Sequence, residues 1–363
     1  MKRVLVLGAG KIGAAVGFFL NRTGDYEVTL ADLYPAVAEK AAEGLKHVVG
    51  KAMNLDDAAL MSELYKGQDA VLSCLPFDLN PKVAELAREH SVHYLDLTED
   101  VAVTRRVREL SEGASTAFIP QCGLAPGFIT IVAFNLLKKL DEVERLKMRV
   151  GALPLYPSNM LKYNITWSVE GLINEYGNMC EAIVEGRRTD VLPLEGYETF
   201  VLDGIEYEAF NTSGGLGTLC DTLDGKVRYL DYKSIRYPGH NALARFLMND
   251  LKMNSDRDTL KRIFENALPV TPQDVIVIYT TASGTKDGKL VQHTYSHRVM
   301  HQEVDGRMLS GIQVTTATGV CAVLDLLLLH DHVSKQGFVK LEEIDYDLFI
   351  NNRFGRYYAK TGG

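Results

Sequence analysis

Three glycines near the amino terminus, Gly8, Gly10 and Gly13, stand in G-x-G-x-x-G spacing, and Asp32 follows the last of them by about twenty residues. That combination can receive a dinucleotide. Gly8 permits a tight turn, Gly10 lets the backbone approach a pyrophosphate, and Gly13 lets a helix sit close on its strand. Phosphate charge then meets the free N–H groups at the helix start, around Lys11, Ile12 and Gly13. A carboxylate at Asp32 accepts hydrogen bonds from the adenosine ribose hydroxyls and repels a 2′-phosphate. Leu33 and Tyr34 supply no cation to hold one, so the pattern predicts NAD in preference to NADP.

The elements needed to position these residues follow in the right order. Arg3 to Leu7 is an apolar, β-branched run suited to a strand buried on both faces. Ile12, Val16, Phe19 and Leu20 recur at helical intervals, and Val28 to Ala31 is a second apolar run ending at Asp32. A helix through about Glu43, a short strand near His47 to Gly50 and a helix from Met53 to Leu64 come next. The strand Ala70 to Ser73 runs into Cys74-Leu75-Pro76, where the proline stops regular structure. Ligands of an open parallel sheet bind outside the carboxyl ends of its strands, so Ser73, Cys74, Leu75 and Pro76 are expected along the cofactor.

Pro81 opens a helix to His90, and the strand Val92 to Leu97 ends in Asp96-Leu97-Thr98-Glu99-Asp100. Asp96 is placed to meet a substrate and Leu97 to line the cofactor, while Glu99 and Asp100 are expected to cap the next helix. Ala117 to Gln121 reads as a further strand, followed by Cys122-Gly123-Leu124-Ala125-Pro126-Gly127 and a helix from Phe128 to Leu140. Cys122 has no paired base nearby in sequence and reads as a small buried residue rather than a nucleophile.

From Leu146 the texture turns β-rich. Leu146 to Gly151, Tyr163 to Ser168, Tyr197 to Phe210, Val275 to Ser283, Leu290 to Gln302 and Arg307 to Thr316 read as strands, the last three paired antiparallel through turns at Asp287-Gly288 and Asp305-Gly306. Glu170 to Tyr176 opens a helix, and Thr318 to Val333 forms an apolar helix returning to the first domain. The expected fold class is α/β, a Rossmann-type doubly wound parallel sheet over residues 1–125 and 317–363. Residues 126–316 form a second, α+β domain with a mixed or antiparallel sheet.

Composition narrows the function. With 363 residues two domains are the default, and a net charge of −8 argues against nucleic acid or an anionic membrane surface as partner. No apolar run is long enough to span a bilayer, Val320 to Leu329 being interrupted by Asp325. The chain opens directly on its first strand, which predicts no signal peptide and a cytoplasmic address. The five cysteines lie far apart without C-x-x-C pairs, so no metal site or disulfide framework is expected.

Three polar clusters remain in the second domain: Tyr163-Asn164-Ile165-Thr166-Trp167-Ser168-Val169-Glu170-Gly171, the glycine loop from Phe210 through Thr212 to Thr218, and Arg236-Tyr237-Pro238-Gly239-His240. A helix cap, an Asx-type turn and a core histidine would explain each alone; together, beside a dinucleotide site, they point to a substrate pocket.

These segments, with Gly123-Leu124-Ala125-Pro126-Gly127, Glu208-Ala209-Phe210 and Tyr232-Lys233-Ser234-Ile235, resemble the saccharopine dehydrogenase-like family, and within it the bacterial L-lysine 6-dehydrogenases. The resemblance implies NAD(P)-linked chemistry at a C–N bond, and the expected reaction is oxidative deamination of the ε-amino group of L-lysine or a close diamino acid with NAD as hydride acceptor, with Tyr163, Trp167, Glu170, Thr212 and Arg236 around the substrate. Glu170 stands where saccharopine reductases carry arginine, which suits an ammonium; Arg236 would hold the α-carboxylate, Asp96 position the amine or activate water, and His240 relay a proton. Saccharopine or carboxynorspermidine chemistry and a non-catalytic NAD(H) sensor are the alternatives, and the long strands suggest a homodimer.

Overall fold

A computed structural model describes residues 1–359 of the chain. The chain forms two units, the first Met1–Ile131 together with the segment from Gln313 onward, the second Val132–Ile312.

The first unit alternates strand and helix: β1 (Lys2–Leu7), α1 (Lys11–Asn21), β2 (Tyr26–Asp32), α2 (Pro35–Ala42), β3 (Val48–Ala52), α3 (Ala58–Tyr65), β4 (Ala70–Ser73), α4 (Asn80–Glu89), β5 (His93–Asp96), α5 (Val101–Ser111) and β6 (Ala117–Ile119). The strands pair in the order β3-β2-β1-β4-β5-β6, all parallel, and a two-residue strand, Gly337–Phe338, adds beside β6. Val4, Leu5, Val6 and Leu7 are fully buried, as a central strand covered on both faces requires. The order reverses between β1 and β4, which makes the segments after Leu7 and Ser73 the edge where ligands of such sheets bind.

Helix starts follow local chemistry. Asp57 and Asp100 accept hydrogen bonds from Leu60 and Val103 and cap α3 and α5, and Pro81 lies in the first turn of α4. Asp100 thus fills the capping role expected of it. The helix expected from Met53 begins five residues later, because Asn54 and Asp57 turn the chain locally before the cap is made.

The second unit contains β7 (Glu142–Pro154), α7 (Val169–Gly177), β8 (Cys180–Val184), β9 (Arg187–Val191), β10 (Glu198–Leu202), β11 (Ile205–Asn211), α8 (Leu219–Leu223), β12 (Val227–Arg236), α9 (His240–Arg245), α10 (Arg257–Ala267), β13 (Asp274–Lys286), β14 (Lys289–Met300) and the short hairpin Gln302–Val304 and Arg307–Leu309. Its main sheet runs β10-β11-β12-β7-β13-β14, with β8 and β9 branching from β12. Only β12 and β7 are parallel, so the sheet is mixed. Leu172, Ile173 and Tyr176 of α7, Leu260 and Phe264 of α10 and Phe210 of β11 share one apolar core with Tyr163 and Met248.

Three expected strands are corrected. Tyr163 to Ser168 is a loop that makes one isolated bridge, Ile165 with Val270. Tyr197 to Phe210 is a hairpin turning at Asp203-Gly204. Arg307 to Thr316 yields only the strand Arg307–Leu309, because a helix spanning Gly311–Leu328 begins just after it. That helix starts where the Asp274 carboxylate accepts the N–H groups of Gly311 and Ile312. By length and composition it could cross a membrane, which corrects the reading of a run broken at Asp325, but 83% of it is buried inside the protein.

Candidate functional site

In the first unit the glycine turn has the geometry its spacing predicts. Gly8 adopts φ +94°, and a Cβ on it would meet the Cys74 carbonyl oxygen at 2.8 Å; a Cβ on Gly13 would lie 1.8 Å from the Gly8 oxygen. Gly10, in contrast, is exposed, and a Cβ there would meet no atom within 4 Å. Gly8 and Gly13 are therefore glycines for internal packing, while Gly10 is small toward open space.

The first intrahelical bond of α1 runs from Ala14 to Gly10, which leaves the N–H groups of Lys11, Ile12 and Gly13 without helical acceptors. No side chain caps them, and no acidic residue stands in the first turn. The chemistry of this start fits a dinucleotide pyrophosphate: N–H donors, the positive end of an eleven-residue helix and open space at Gly10.

Asp32 ends β2 beside this turn. Its Oδ2 accepts the Ala9 N–H at 2.8 Å and its Oδ1 the Tyr34 N–H at 3.0 Å, so the carboxylate also locks the loop it serves. Leu33 and Tyr34 are exposed. At the end of β4, Ser73 is buried and donates to Asn80 Oδ1 at 2.7 Å. Cys74 and Leu75 are half-buried and Pro76 is exposed. Burial raises the thiols of both Cys74 and Cys122, so neither is a ready nucleophile.

Asp96 and Leu97 close β5. Leu97 is half-buried and lies toward Gly123. Asp96 is fully enclosed: Oδ1 accepts the N–H groups of Thr98 and Gln121, each at 2.9 Å, and Oδ2 accepts the Tyr94 hydroxyl at 2.6 Å. Desolvation raises its pKa against the opposing pull of those donors. The expected catalytic use of Asp96 is corrected on this ground, since its oxygens tie β5 to the loop after β6 and it presents no surface to a substrate.

In the second unit Tyr163, Arg236 and His240 do come together. Arg236 ends β12 with 3% exposure, sandwiched between the rings of Tyr163 and Tyr176 at 5.4 and 5.7 Å. Its Nε donates to the Tyr176 hydroxyl at 2.8 Å and its Nη1 to the Ile235 carbonyl. Nη2 makes no hydrogen bond, and no carboxylate lies within ion-pair distance of this guanidinium, among the described residues.

His240 sits behind Tyr176. Burial, assisted by the Arg236 charge, holds its pKa down at about 3, so the ring is neutral. Its Nδ1 faces the Leu161 carbonyl at 2.8 Å, an acceptor only, and must carry the proton. Nε2 therefore accepts from the Tyr176 hydroxyl at 2.9 Å. The relay expected of His240 is corrected: both nitrogens are engaged inside the protein, and the residue positions Tyr176 and through it Arg236.

Glu208 fixes the turn that carries His240, its two oxygens accepting the N–H groups of Asn241 at 2.5 Å and Gly239 at 2.7 Å. Thr212 meets Ser234 at 2.8 Å, and the glycine loop presses on Tyr232, whose ring leaves no room for a Cβ at Gly215. Thr166 Oγ1 is buried without a partner among the described residues, and Trp167 is half-buried against the helical core.

Glu170 does not join this cluster. It lies exposed in the first turn of α7, paired with Lys261 at 3.1 Å. The carboxylate of this helix that is buried is Glu175, whose charge acts on Arg236, Tyr163, Tyr176 and Tyr232. Sequence reading missed it, although its place on the inner face of a helix counted from the Ser168 cap was available.

A parallel sheet of this order with an anion-receiving turn at its switch point defines a dinucleotide-binding protein, here joined to a second unit with a buried polar cluster. Residues 4–119 match the family model of the saccharopine dehydrogenase NADP binding domain, and residues 123–355 that of the saccharopine dehydrogenase C-terminal domain. The chain belongs to the saccharopine dehydrogenase family.

Among relatives, it is 26% identical over 256 residues to the mitochondrial alpha-aminoadipic semialdehyde synthase of Mus musculus, covering 64% of this chain and 27% of that protein. The chain thus spans about a quarter of that relative. It is 23% identical over 338 residues to the saccharopine dehydrogenase (NADP(+), L-glutamate-forming) of Schizosaccharomyces pombe, covering 86% of this chain and 72% of the relative. The apo saccharopine dehydrogenase (L-Glu forming) of Saccharomyces cerevisiae shares the fold, with a TM-score of 0.80, 16% identity and 96% of each chain covered.

Proposed function

We propose that the chain is a nicotinamide-linked dehydrogenase that oxidatively deaminates the ε-amino group of L-lysine, or of a close diamino acid, releasing ammonia and a semialdehyde. The dinucleotide, when bound, supplies the hydride acceptor. The observation that carries the choice of a free amino acid is the state of the buried cations. Among the described residues the buried lysines and arginines are Arg149, Lys233 and Arg236. Arg149 and Lys233 both form ion pairs with Glu198 and Asp231, whereas Arg236 forms none and has only the charge of Glu175 acting on it. One buried guanidinium without an ion pair suits one carboxylate, and saccharopine carries a second amino-acid moiety with carboxylates of its own.

Only a neutral amine can expel hydride, and a free ε-amine has a pKa of about 10.4. The apolar shell of Tyr163, Ile165, Val169 and Phe210 disfavours the ammonium form of an amine brought against it. For the cofactor we read Asp32 as selecting NAD, against the NADP in the name of the matched domain, because its carboxylate repels a 2′-phosphate. Asp32→Asn keeps one of the two acceptors that hold the turn and removes the charge; kcat/KM with NADP relative to NAD should rise by about tenfold. An unchanged ratio removes the reason for naming Asp32.

A second reading, oxidative cleavage of saccharopine, is favoured by the name of the fission-yeast relative. Incubation of the purified chain with either L-lysine or saccharopine and each dinucleotide, following reduced cofactor, ammonia and glutamate, decides. Ammonia from lysine supports the proposal; glutamate from saccharopine with lysine inert overturns it.

A further inference from the structure

A guanidinium carries its N–H bonds in one plane and takes a carboxylate bidentately along one of two edges, side-on through Nε and Nη2 or end-on through Nη1 and Nη2. In Arg236 the first edge is closed. Nε donates to the Tyr176 hydroxyl at 2.8 Å, and Nη1 donates to the Ile235 carbonyl at 2.8 Å. Both hydrogens of Nη2 and the second hydrogen of Nη1 then have no partner among the described residues. The end-on edge is the one left for a bidentate acceptor.

Tyr176 is held in this place from its far side. Its hydroxyl has one proton, which goes to His240 Nε2 at 2.9 Å, while the His240 Nδ1 proton goes to the Leu161 carbonyl at 2.8 Å. Glu208 accepts the N–H groups of Gly239 and Asn241, one on each side of His240. Rings complete the frame: Phe210 stacks within 6° of parallel to His240, and Tyr163 and Tyr176 meet the imidazole edge-on at 5.7 and 5.8 Å. Tyr176 itself is buried on α7, in one apolar core with Leu172 and Ile173. A hydroxyl so placed gives way to a substrate oxygen only by breaking two buried hydrogen bonds.

We infer that Tyr176 is a positioning residue for the α-carboxylate of the substrate: by occupying Nε it makes Arg236 an end-on receptor, so that Nη1 and Nη2 take the carboxylate. This deepens the amino-acid dehydrogenase reading and rests on its use of Arg236. The two edges point in different directions from the central carbon of the guanidinium. Which edge is open therefore decides where the rest of a docked amino acid, and its distal amine, lies.

The test compares ligands with and without a carboxylate. L-lysine, 6-aminohexanoate and 1,5-diaminopentane, the last without a carboxylate, are titrated calorimetrically into the chain saturated with reduced dinucleotide. Tyr176→Phe should weaken lysine and 6-aminohexanoate at least about tenfold and leave diaminopentane unchanged. In an Arg236→Met background the same change should cost 6-aminohexanoate nothing further, because its effect runs through the guanidinium; a merely structural tyrosine would add its full cost again. Equal losses for all three ligands, an unchanged affinity for 6-aminohexanoate, or additive losses in the double variant overturn the assignment. Should the variants not fold, a crystal structure of the unaltered chain with reduced dinucleotide and 6-aminohexanoate decides. A carboxylate on Nη1 and Nη2 with Tyr176 still on Nε supports the assignment, and a carboxylate on Nε overturns it. Failure of the underlying reading looks different. A chain that shows this discrimination but never reduces cofactor with lysine refutes the deamination and leaves Tyr176 in place. An Arg236→Met variant that binds 6-aminohexanoate as the unaltered chain does, or a carboxylate lying away from Arg236, refutes both.

Discussion

Gly10 and Gly13 are both glycines of one fingerprint, but a methyl group would meet open space at the first and the Gly8 carbonyl at 1.8 Å at the second. Gly10→Ala should therefore change stability by no more than about 1 kcal/mol and weaken dinucleotide binding at least tenfold. Gly13→Ala should cost about 1–3 kcal/mol through overpacking, whether or not cofactor is present. Thermal melting and fluorescence titration with NADH check the contrast. The pair was legible in the sequence because a glycine turn is a local backbone device. Glu175 was not, since its carbonyl is held by Ser213, in the loop after β11, and that contact is not written in the helix itself, while Glu170 drew attention only through its neighbours in sequence. His240 shows the same limit: its type suggested proton transfer, whereas its environment makes it a fixed acceptor for Tyr176. A histidine held at about pKa 3 in the fold and near 6.5 when unfolded stabilises fully above pH 6.5. That contribution is lost as the pH falls, by about 1.4 kcal/mol per pH unit. His240→Asn should flatten the slope of stability between pH 6.5 and 4.5 by about that amount, measured by urea unfolding across the range; an unchanged slope means the histidine is not buried neutral.

At the scale of elements, the parallel half was readable because each βα unit carries its own apolar run, turn and cap. The second unit was harder. Tyr163 to Ser168 has strand composition but makes only an isolated bridge with Val270, and Gly311 to Thr316 is rich in β-branched residues yet becomes helical where Asp274 supplies a cap. Both outcomes depend on partners more than thirty residues away, which propensity cannot see. The turn between β12 and α9 depends on a distant residue too. Glu208 on β11 accepts both Gly239 and Asn241 N–H groups, so Glu208→Ala strands two donors and should cost about 2–4 kcal/mol. Gln should rescue little, because its amide nitrogen would face a donor. Circular-dichroism melts of both variants test this; full recovery in Glu208→Gln would show that only one of the two bonds matters.

For the molecule as a whole, the chain leaves the parallel sheet after β6 and completes that unit only with residues beyond Gln313. Asp325, fully buried, is the point of closure: Oδ1 accepts the Tyr26 hydroxyl at 2.5 Å and Arg353 at 2.6 Å, while Oδ2 accepts Asn352 at 2.7 Å and His330 at 3.2 Å. Arg353 also reaches Asp25 at 2.5 Å, so the carboxyl-terminal segment is tied to the start of β2, the strand that ends at Asp32. Around this polar centre Tyr358 stacks on Phe128 with ring centroids 4.0 Å apart, and Tyr357 packs edge-on to Phe19 of α1. Asp325→Asn would turn one of the two acceptor oxygens into a donor before two of the four donors and leave Arg353 with only Asp25, a change that costs about 1–3 kcal/mol. His330 is half exposed, so His330→Gln should cost under about 1 kcal/mol. If the returning segment closes the cofactor-binding unit, saturating NADH should recover part of the melting temperature lost in Asp325→Asn by mass action. A variant that melts as the unaltered chain does would mean the carboxylate is dispensable and that the apolar contacts of Tyr357 and Tyr358 alone hold the segment.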